Sequence, residues 1–214
     1  MKDSTPVVAF DLGGVLLDWH PRYLYRKLFP GNEAAMERFL AEICTPAWNG
    51  RQDAGRPWAQ AVAELSAAHP AERDLIAAYS DRWPEMMGGA IDGTVRVLEE
   101  LRAAGHVRLF ALSNWSAEKF LQVRGQYEFL SWFESIVLSG EIGVNKPDPA
   151  FFRHFLERHR IVPGSVVFID DTPANIEAAE RAGMRGIRFT APGALRSDLV
   201  ALGLLSPLDG PGHP

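Results

Sequence analysis

Four apolar residues, Val7-Val8-Ala9-Phe10, run without polar interruption straight into Asp11-Leu12-Gly13-Gly14. A run with no in–out alternation reads as a strand buried on both faces, as in a parallel sheet. The two glycines let the chain turn sharply and let another group approach closely. The stretch therefore predicts a carboxylate at the carboxyl end of a central strand, where open α/β sheets hold their ligands. A plain strand closed by a turn aspartate would read the same in isolation, so the rest of the chain has to decide.

Further apolar runs follow at Val107–Leu112, Ser135–Leu138, Val166–Ile169 and Gly186–Phe189, with helical patterns between them. Thr94–Ala103 is closed by Gly105, Asp148-Pro149 opens a helix, and Thr172-Pro173 opens another that Gly183 ends. Strands alternating with helices predict an α/β fold with a Rossmann-like parallel sheet core of about five strands and right-handed crossovers. Between Asp18 and Gly88 the chain reads as helices only: Pro21–Leu28, Glu33–Cys44, Pro57–Ala68 and Ala71–Trp83, with an irregular aromatic and basic stretch at Trp48–Trp58. The expected division is a core of residues 1–17 and 89–214 and an inserted helical cap of residues 18–88. The Pro- and Gly-rich tail from Ser206 is expected to fray.

With 214 residues the chain has room for one large domain or a domain with an insert. A formal charge of −5 gives no basis for non-specific nucleic-acid binding. One cysteine, Cys44, forms no internal disulfide and suits a cytoplasmic setting. Neither a signal peptide nor a membrane span is expected, because no apolar stretch nears the ~18 residues a span needs. The six histidines lack zinc-site spacing, and no P-loop or dinucleotide fingerprint occurs. Oligomeric state is left open.

Asp11, Ser113-Asn114 and Asp170-Asp171 each follow an apolar run directly, and Lys146 precedes a helix. In a parallel sheet all strand carboxyl ends share one edge, so these residues converge. Each has a bland reading: helix-start acids, a turn, a solvated lysine. Together, in order and all at strand ends, they describe a site. Clustered carboxylates repel, and a hard cation such as Mg²⁺ relieves the conflict through oxygen ligands. Lys146 and the Ser113 hydroxyl add donors for an anion. A carboxylate nucleophile, a cation, a lysine and hydroxyl or amide donors suit phosphoryl transfer.

The segments Asp11-Leu12-Gly13-Gly14-Val15, Ala111-Leu112-Ser113-Asn114, Lys146-Pro147-Asp148 and Phe168-Ile169-Asp170-Asp171-Thr172-Pro173-Ala174-Asn175 resemble the four motifs of the haloacid dehalogenase-like hydrolases. The helical insert looks like that of the C1-capped subclass. The fourth motif is similar to the branch holding sugar-phosphate phosphatases and the phosphatase domain of soluble epoxide hydrolases. The resemblance implies a Mg²⁺-dependent phosphatase acting on a small phosphorylated metabolite. Asp11 would form an aspartyl-phosphate. Mg²⁺ would bind Asp11, the Gly13 carbonyl and Asp171, with Asp170 beside them. Ser113, Asn114 and Lys146 would hold the phosphoryl oxygens, and Asn175 would orient the metal or Lys146.

One departure stands out: Gly13 occupies the position where most phosphatases of this family carry a second aspartate as general acid. Its absence predicts a preference for anomeric or activated esters, unless Asp18 or His20 substitutes. Gly13 also keeps open a 2-haloacid dehalogenase, though Asp170-Asp171 argues against it, and a degenerate core that binds a phosphorylated ligand. A phosphomutase would itself want the missing acid. From the cap, the stretch Trp48–Trp58, with its mix of Trp48, Asn49, Arg51, Gln52 and Arg56, is expected to face the active site and contact the leaving group, with Trp115 as a comparable pocket-wall residue.

Overall fold

The computed structural model describes residues 5–207, so the end of the expected frayed tail, 208–214, lies outside the described residues. In chain order, β1 (Val7–Phe10) and β2 (Leu17–Trp19) precede five helices: α1 (Arg22–Leu28), α2 (Glu33–Glu42), α3 (Pro46–Asp53), α4 (Trp58–Ala68) and α5 (Arg73–Asp81). Then come β3 (Met87–Ala90), α6 (Asp92–Ala104), β4 (Arg108–Ser113), α7 (Ala117–Val123), β5 (Ser135–Leu138) and α8 (Ser139–Ile142). The chain continues through α9 (Pro149–His159), β6 (Val166–Asp170), α10 (Pro173–Arg181), β7 (Arg185–Arg188) and α11 (Pro192–Ala201).

Five strands form one parallel sheet in the order β5-β4-β1-β6-β7, which is the expected α/β architecture. Alternation within each strand decides which layer receives its side chains. Val7 and Ala9 of β1, Phe110 and Leu112 of β4 and Phe168 of β6 pack with Phe151, Phe152 and Phe155 of α9 and Ile176 and Ala179 of α10. Val8, Phe10, Ala111 and Ile169 belong to the opposite cluster, with Val97 and Leu101 of α6 and Leu195 and Leu199 of α11. Both faces of β1 are thus covered, which explains its unbroken apolar run.

Helix starts follow local capping chemistry. Asn32 accepts from the Ala35 amide, Thr45 from the Trp48 amide with Pro46 next in line, and Asp148 from the Ala150 amide with Pro149 next. The Thr45-Pro46 start corrects one expectation: Trp48 to Asp53 belongs to helix α3 rather than to an irregular stretch. A second correction concerns the ends of the helical segment. β2 and β3 pair antiparallel there, Leu17 opposite Ala90 and Asp18 opposite Gly89, so the segment is bracketed by a two-stranded ribbon and is not purely helical.

Two segments at the carboxyl edge of the sheet meet through close backbone packing. Gly140 lies against the Ser113–Ser116 loop, and an added Cβ there would come within 2.6 Å of the Ala117 nitrogen and 2.8 Å of the Trp115 oxygen. Gly140→Ala should therefore destabilise the fold by about 1–3 kcal/mol through forced backbone shifts. At Gly125 an added Cβ meets nothing within 4 Å, so Gly125→Ala should be near neutral. Urea denaturation of the two variants against wild type measures the difference.

Candidate active site

Asp11 ends β1, and its amide donates to the Ile169 carbonyl at 2.8 Å, so the strand pairing fixes its backbone. Its Oδ1 accepts from the Leu12 amide at 2.7 Å and faces Lys146 Nζ at 3.1 Å. Oδ2 has no hydrogen-bond partner among the described residues. One oxygen is anchored and the other is free.

Lys146 enters from the loop after α8. Its Nζ donates to the Leu112 carbonyl at 2.7 Å and to Asp170 Oδ2 at 2.7 Å. Asp170 is fully buried at the end of β6. Its Oδ1 accepts from the Thr172 amide at 2.8 Å, and both its oxygens accept from Asn175 Nδ2 at 3.0 Å. With its oxygens spent in this way, Asp170 is a holder of Lys146. Asn175 acts one step further back, on Asp170.

The electrostatics are out of balance. Burial pushes the Asp11 carboxyl up to about 7, against the pull of Lys146 and with the help of Asp170. Burial works against the Lys146 charge too, but Asp11 and Asp170 outweigh it and hold the ammonium above its ordinary value. Asp171 is raised by burial and by Asp170. Three carboxylates around one ammonium leave two negative charges uncompensated.

That donor set fits a divalent hard cation. Oxygens of Asp11, Asp170 and Asp171 lie within 4.8 Å of one another. Asp171 is exposed, and an added Cβ on Gly14, whose φ is +75°, would lie 2.5 Å from its Oδ2. Only glycine leaves that carboxylate its place. Asp171 Oδ1 accepts from the Thr172 hydroxyl at 3.1 Å, so Asp11 Oδ2 and Asp171 Oδ2 are the oxygens free to bind.

Ser113 ends β4 and makes no side-chain hydrogen bond among the described residues. Asn114 Nδ2 donates to the Lys146 carbonyl and its Oδ1 accepts from the Lys146 amide, both at 2.8 Å. Its side chain therefore clamps the Lys146 backbone to the end of β4, with one Nδ2 hydrogen left over.

Gly13, Ser113, Asn114 and Trp115 line a cavity of about 60 Å³ with Trp19, Trp83, Asn49 and Asp53. Trp83 stacks on Trp19 at 6.1 Å and packs against Trp115 at 5.4 Å between ring centroids. Trp19 Nε1, Trp115 Nε1 and Asn49 Oδ1 are buried without hydrogen-bond partners beside this cavity. Gly13 does not have a positive φ, and an added Cβ there meets nothing within 4 Å.

Of the residues named from the Trp48–Trp58 stretch, Asn49 reaches this cavity, while Trp48, Arg51, Gln52 and Arg56 do not line it. Trp48 packs edge-on to Trp58 and Tyr79 inside the segment. Gln52 is fully buried and donates to the Trp48 carbonyl, and Arg51 is exposed on the surface. Asp18 accepts from Tyr23 Oη. His20 bonds to Arg22 and lines a separate cleft of about 430 Å³ that shares Trp19 and Asn49 with the small cavity. Asn49 and Asp53, which line the cavity together with Trp19 and Trp83 of the same segment, are one turn apart on α3, roughly 100° around the helix from the Trp48–Gln52 pair. Reading Thr45-Pro46 as a helix start would have separated these two faces.

Comparisons place the geometry among known proteins. Drimenol cyclase drtB of Aspergillus calidoustus is 37% identical over 87 residues, covering 41% of this chain and 16% of that protein. Sesquiterpene phosphatase astK of Aspergillus oryzae is 32% identical over 94 residues, covering 44% and 47%. The chain thus spans less than half the length of these curated relatives. Among solved structures, a haloacid dehalogenase-family enzyme of Bacteroides thetaiotaomicron, in complex with magnesium and inorganic phosphate, shares the fold with a TM-score of 0.66 at 22% identity, covering 88% of this chain and 96% of that one. An L-2-haloacid dehalogenase of Xanthobacter autotrophicus shares it with a TM-score of 0.63 at 17% identity, covering 95% and 85%. A family model matches residues 5–183, from before β1 to just past α10, and takes in every strand-end residue described above; the chain belongs to the haloacid dehalogenase-like hydrolase family.

Proposed function

We propose that this chain is a Mg²⁺-dependent phosphomonoesterase acting on a small phosphorylated metabolite, with residues 18–88 as its cap. The observation that carries the reading is the cluster of three carboxylates around one ammonium, Asp11 and Asp170 buried and Asp171 exposed, in which Asp11 Oδ2 has no hydrogen-bond partner among the described residues. A bound Mg²⁺ supplies charge neutralisation and polarises a phosphoryl oxygen. The relatives with phosphatase names support the same class.

Asp11 has the two properties an attacking carboxylate needs. Its Oδ1 is fixed, which orients the group, and its Oδ2 faces the open side of the cluster. Attack of Oδ2 on phosphorus makes an aspartyl-phosphate. Water then attacks that phosphorus and releases phosphate. Lys146 Nζ, already at Asp11, stabilises charge on the phosphoryl oxygens, and the Ser113 hydroxyl donates from the cavity wall. Asn114 serves by clamping Lys146 and Asn175 by fixing Asp170. The cavity tryptophans exclude water from the reacting groups.

The deciding assay is phosphate release from p-nitrophenyl phosphate with Mg²⁺ and with EDTA. Turnover that needs Mg²⁺ is expected. Halide release from chloroacetate in EDTA, with no phosphate release, would replace this reading with dehalogenation. Asp11→Asn is nearly isosteric and should keep the fold while lowering kcat by roughly 10³-fold or more. Asp171→Ala should shift the Mg²⁺ needed for half-maximal rate upward by at least ~10-fold. It should also remove the Mg²⁺-induced rise in Tm that wild type shows, a readout independent of turnover.

A further inference from the structure

Gly13 leaves the leaving group without an acid from β1, and the space a side chain would fill there is open. Across the same cavity stands a carboxyl from the helical segment, Asp53 at the end of α3. It is held on both sides. Its Oδ1 accepts from the Ser116 amide at 3.2 Å and its Oδ2 from Asn49 Nδ2 at 2.7 Å, while its backbone carbonyl accepts from Ser139 Oγ at 2.5 Å. Ser116 and Ser139 belong to the sheet edge, so the core itself positions this side chain.

The partners of Asp53 are all neutral. The other carboxyls buried at this edge, Asp11 and Asp170, share Lys146, whereas no cation acts on Asp53 among the described residues. A buried carboxylate with no cation is costly, and the cost falls away when the group holds a proton. Burial pushes Asp53 up to about 7, with the Ser116 amide pulling only weakly the other way. Such a group is half-charged near neutrality, the condition that suits a residue which must give a proton and take it back.

The geometry points to Asp53 as the general acid and base of this site, a catalytic residue supplied by the insert in place of the one missing at position 13. This inference rests on the phosphatase reading above. As Asp11 Oδ2 forms its bond to phosphorus, the bond from phosphorus to the ester oxygen breaks and that oxygen takes the electron pair. The Asp53 carboxylic acid gives the oxygen its proton, so the alcohol leaves neutral and Asp53 is left as carboxylate. In the second step Asp53 takes a proton from water as the water oxygen bonds to phosphorus. The bond from phosphorus to Asp11 breaks, inorganic phosphate departs and Asp53 is protonated again. Asp18 and His20 are not needed for this role and lie outside the cavity, tied to Tyr23 and Arg22.

The test is kcat/KM over a series of p-nitrophenyl, phenyl and ethyl phosphate, because this ratio reports the step in which the ester bond breaks. With an acid in place, wild type should show a shallow dependence on leaving-group basicity, a result that needs no variant. Asp53→Asn keeps the size of the side chain and an acceptor for the Ser116 amide. It should lower kcat/KM for ethyl phosphate by ~10²–10⁴-fold and leave p-nitrophenyl phosphate within about tenfold. Adding Gly13→Asp to Asp53→Asn should restore at least about tenfold of the ethyl phosphate rate, since the position has room and an ordinary φ. A steep dependence in wild type, or an Asp53→Asn variant that loses all three esters equally or none, would overturn the assignment while leaving the phosphatase reading intact. A wild type that releases phosphate from no ester would overturn both.

Discussion

The Lys146 ammonium, buried between Asp11 and Asp170, is the contact on which the site depends. Burying one charge among hydrogen-bonded opposites is tolerable; removing either side leaves an uncompensated charge in a poorly solvated place and costs about 3–5 kcal/mol. The surrounding structure exists largely to hold this triad. Asn114 fastens the Lys146 backbone to β4, Asn175 and the Thr172 amide fasten Asp170, and the Leu12 amide fastens Asp11. Four separate chain segments are thereby tied at one point. Because the carboxylates still outnumber the ammonium, the arrangement is stable as a fold and unfinished as a charge distribution. That imbalance gives a cation and a phosphate ester a reason to bind.

The helical segment is joined to this edge by directed bonds on top of shared apolar packing, Trp58, Tyr79 and Trp83 lying in one cluster with Trp115 and Phe120. Trp58 Nε1 donates to Ser116 Oγ at 3.0 Å, Asn145 Nδ2 to the Gly50 carbonyl at 2.6 Å, and Ser139 Oγ to the Asp53 carbonyl. An added Cβ on Gly55 would come within 3.0 Å of the Gly140 oxygen, so two glycines let the backbones approach where these bonds form. The Trp19–Trp83–Trp115 group roofs the small cavity from both sides of the same seam. Apolar rings exclude water there.

Much of this was legible in the residues, for identifiable reasons. Strand β1 was readable because burial on both faces removes alternation, and the strand-end residues were readable because a parallel sheet gathers its carboxyl ends on one edge. The division of labour among them was not. Asn114 and Ser113 are neighbours in sequence, yet one side chain is consumed by Lys146 and the other faces the cavity; nothing in the spacing distinguishes them. The helical segment was harder still. Its aromatic and basic residues drew attention to Trp48, Arg51 and Gln52, but two of these serve the segment's own core and the third is exposed. Helical periodicity selects Asn49 and Asp53 for a different face, and that periodicity becomes visible only once Thr45 is taken as a cap. β2 and β3 escaped because β2 has only three residues and β3 holds two adjacent glycines, Gly88 and Gly89, which read as a break.

The strand order has a consequence for how the molecule comes apart. β4, β1 and β6 are the three inner strands, with β5 and β7 at the borders. Amides of inner strands open only with the whole domain, whereas border strands fray more readily. Asp11, Ser113 and Asp170 therefore share the fate of the most protected part of the protein. Lys146 hangs on the chain that leaves β5, a border strand, and reaches the interior only through the Asn114 clamp and its own ammonium. Hydrogen exchange should accordingly divide the triad by kinetics: two acids in the slowest cooperative unit and their shared cation in a faster one.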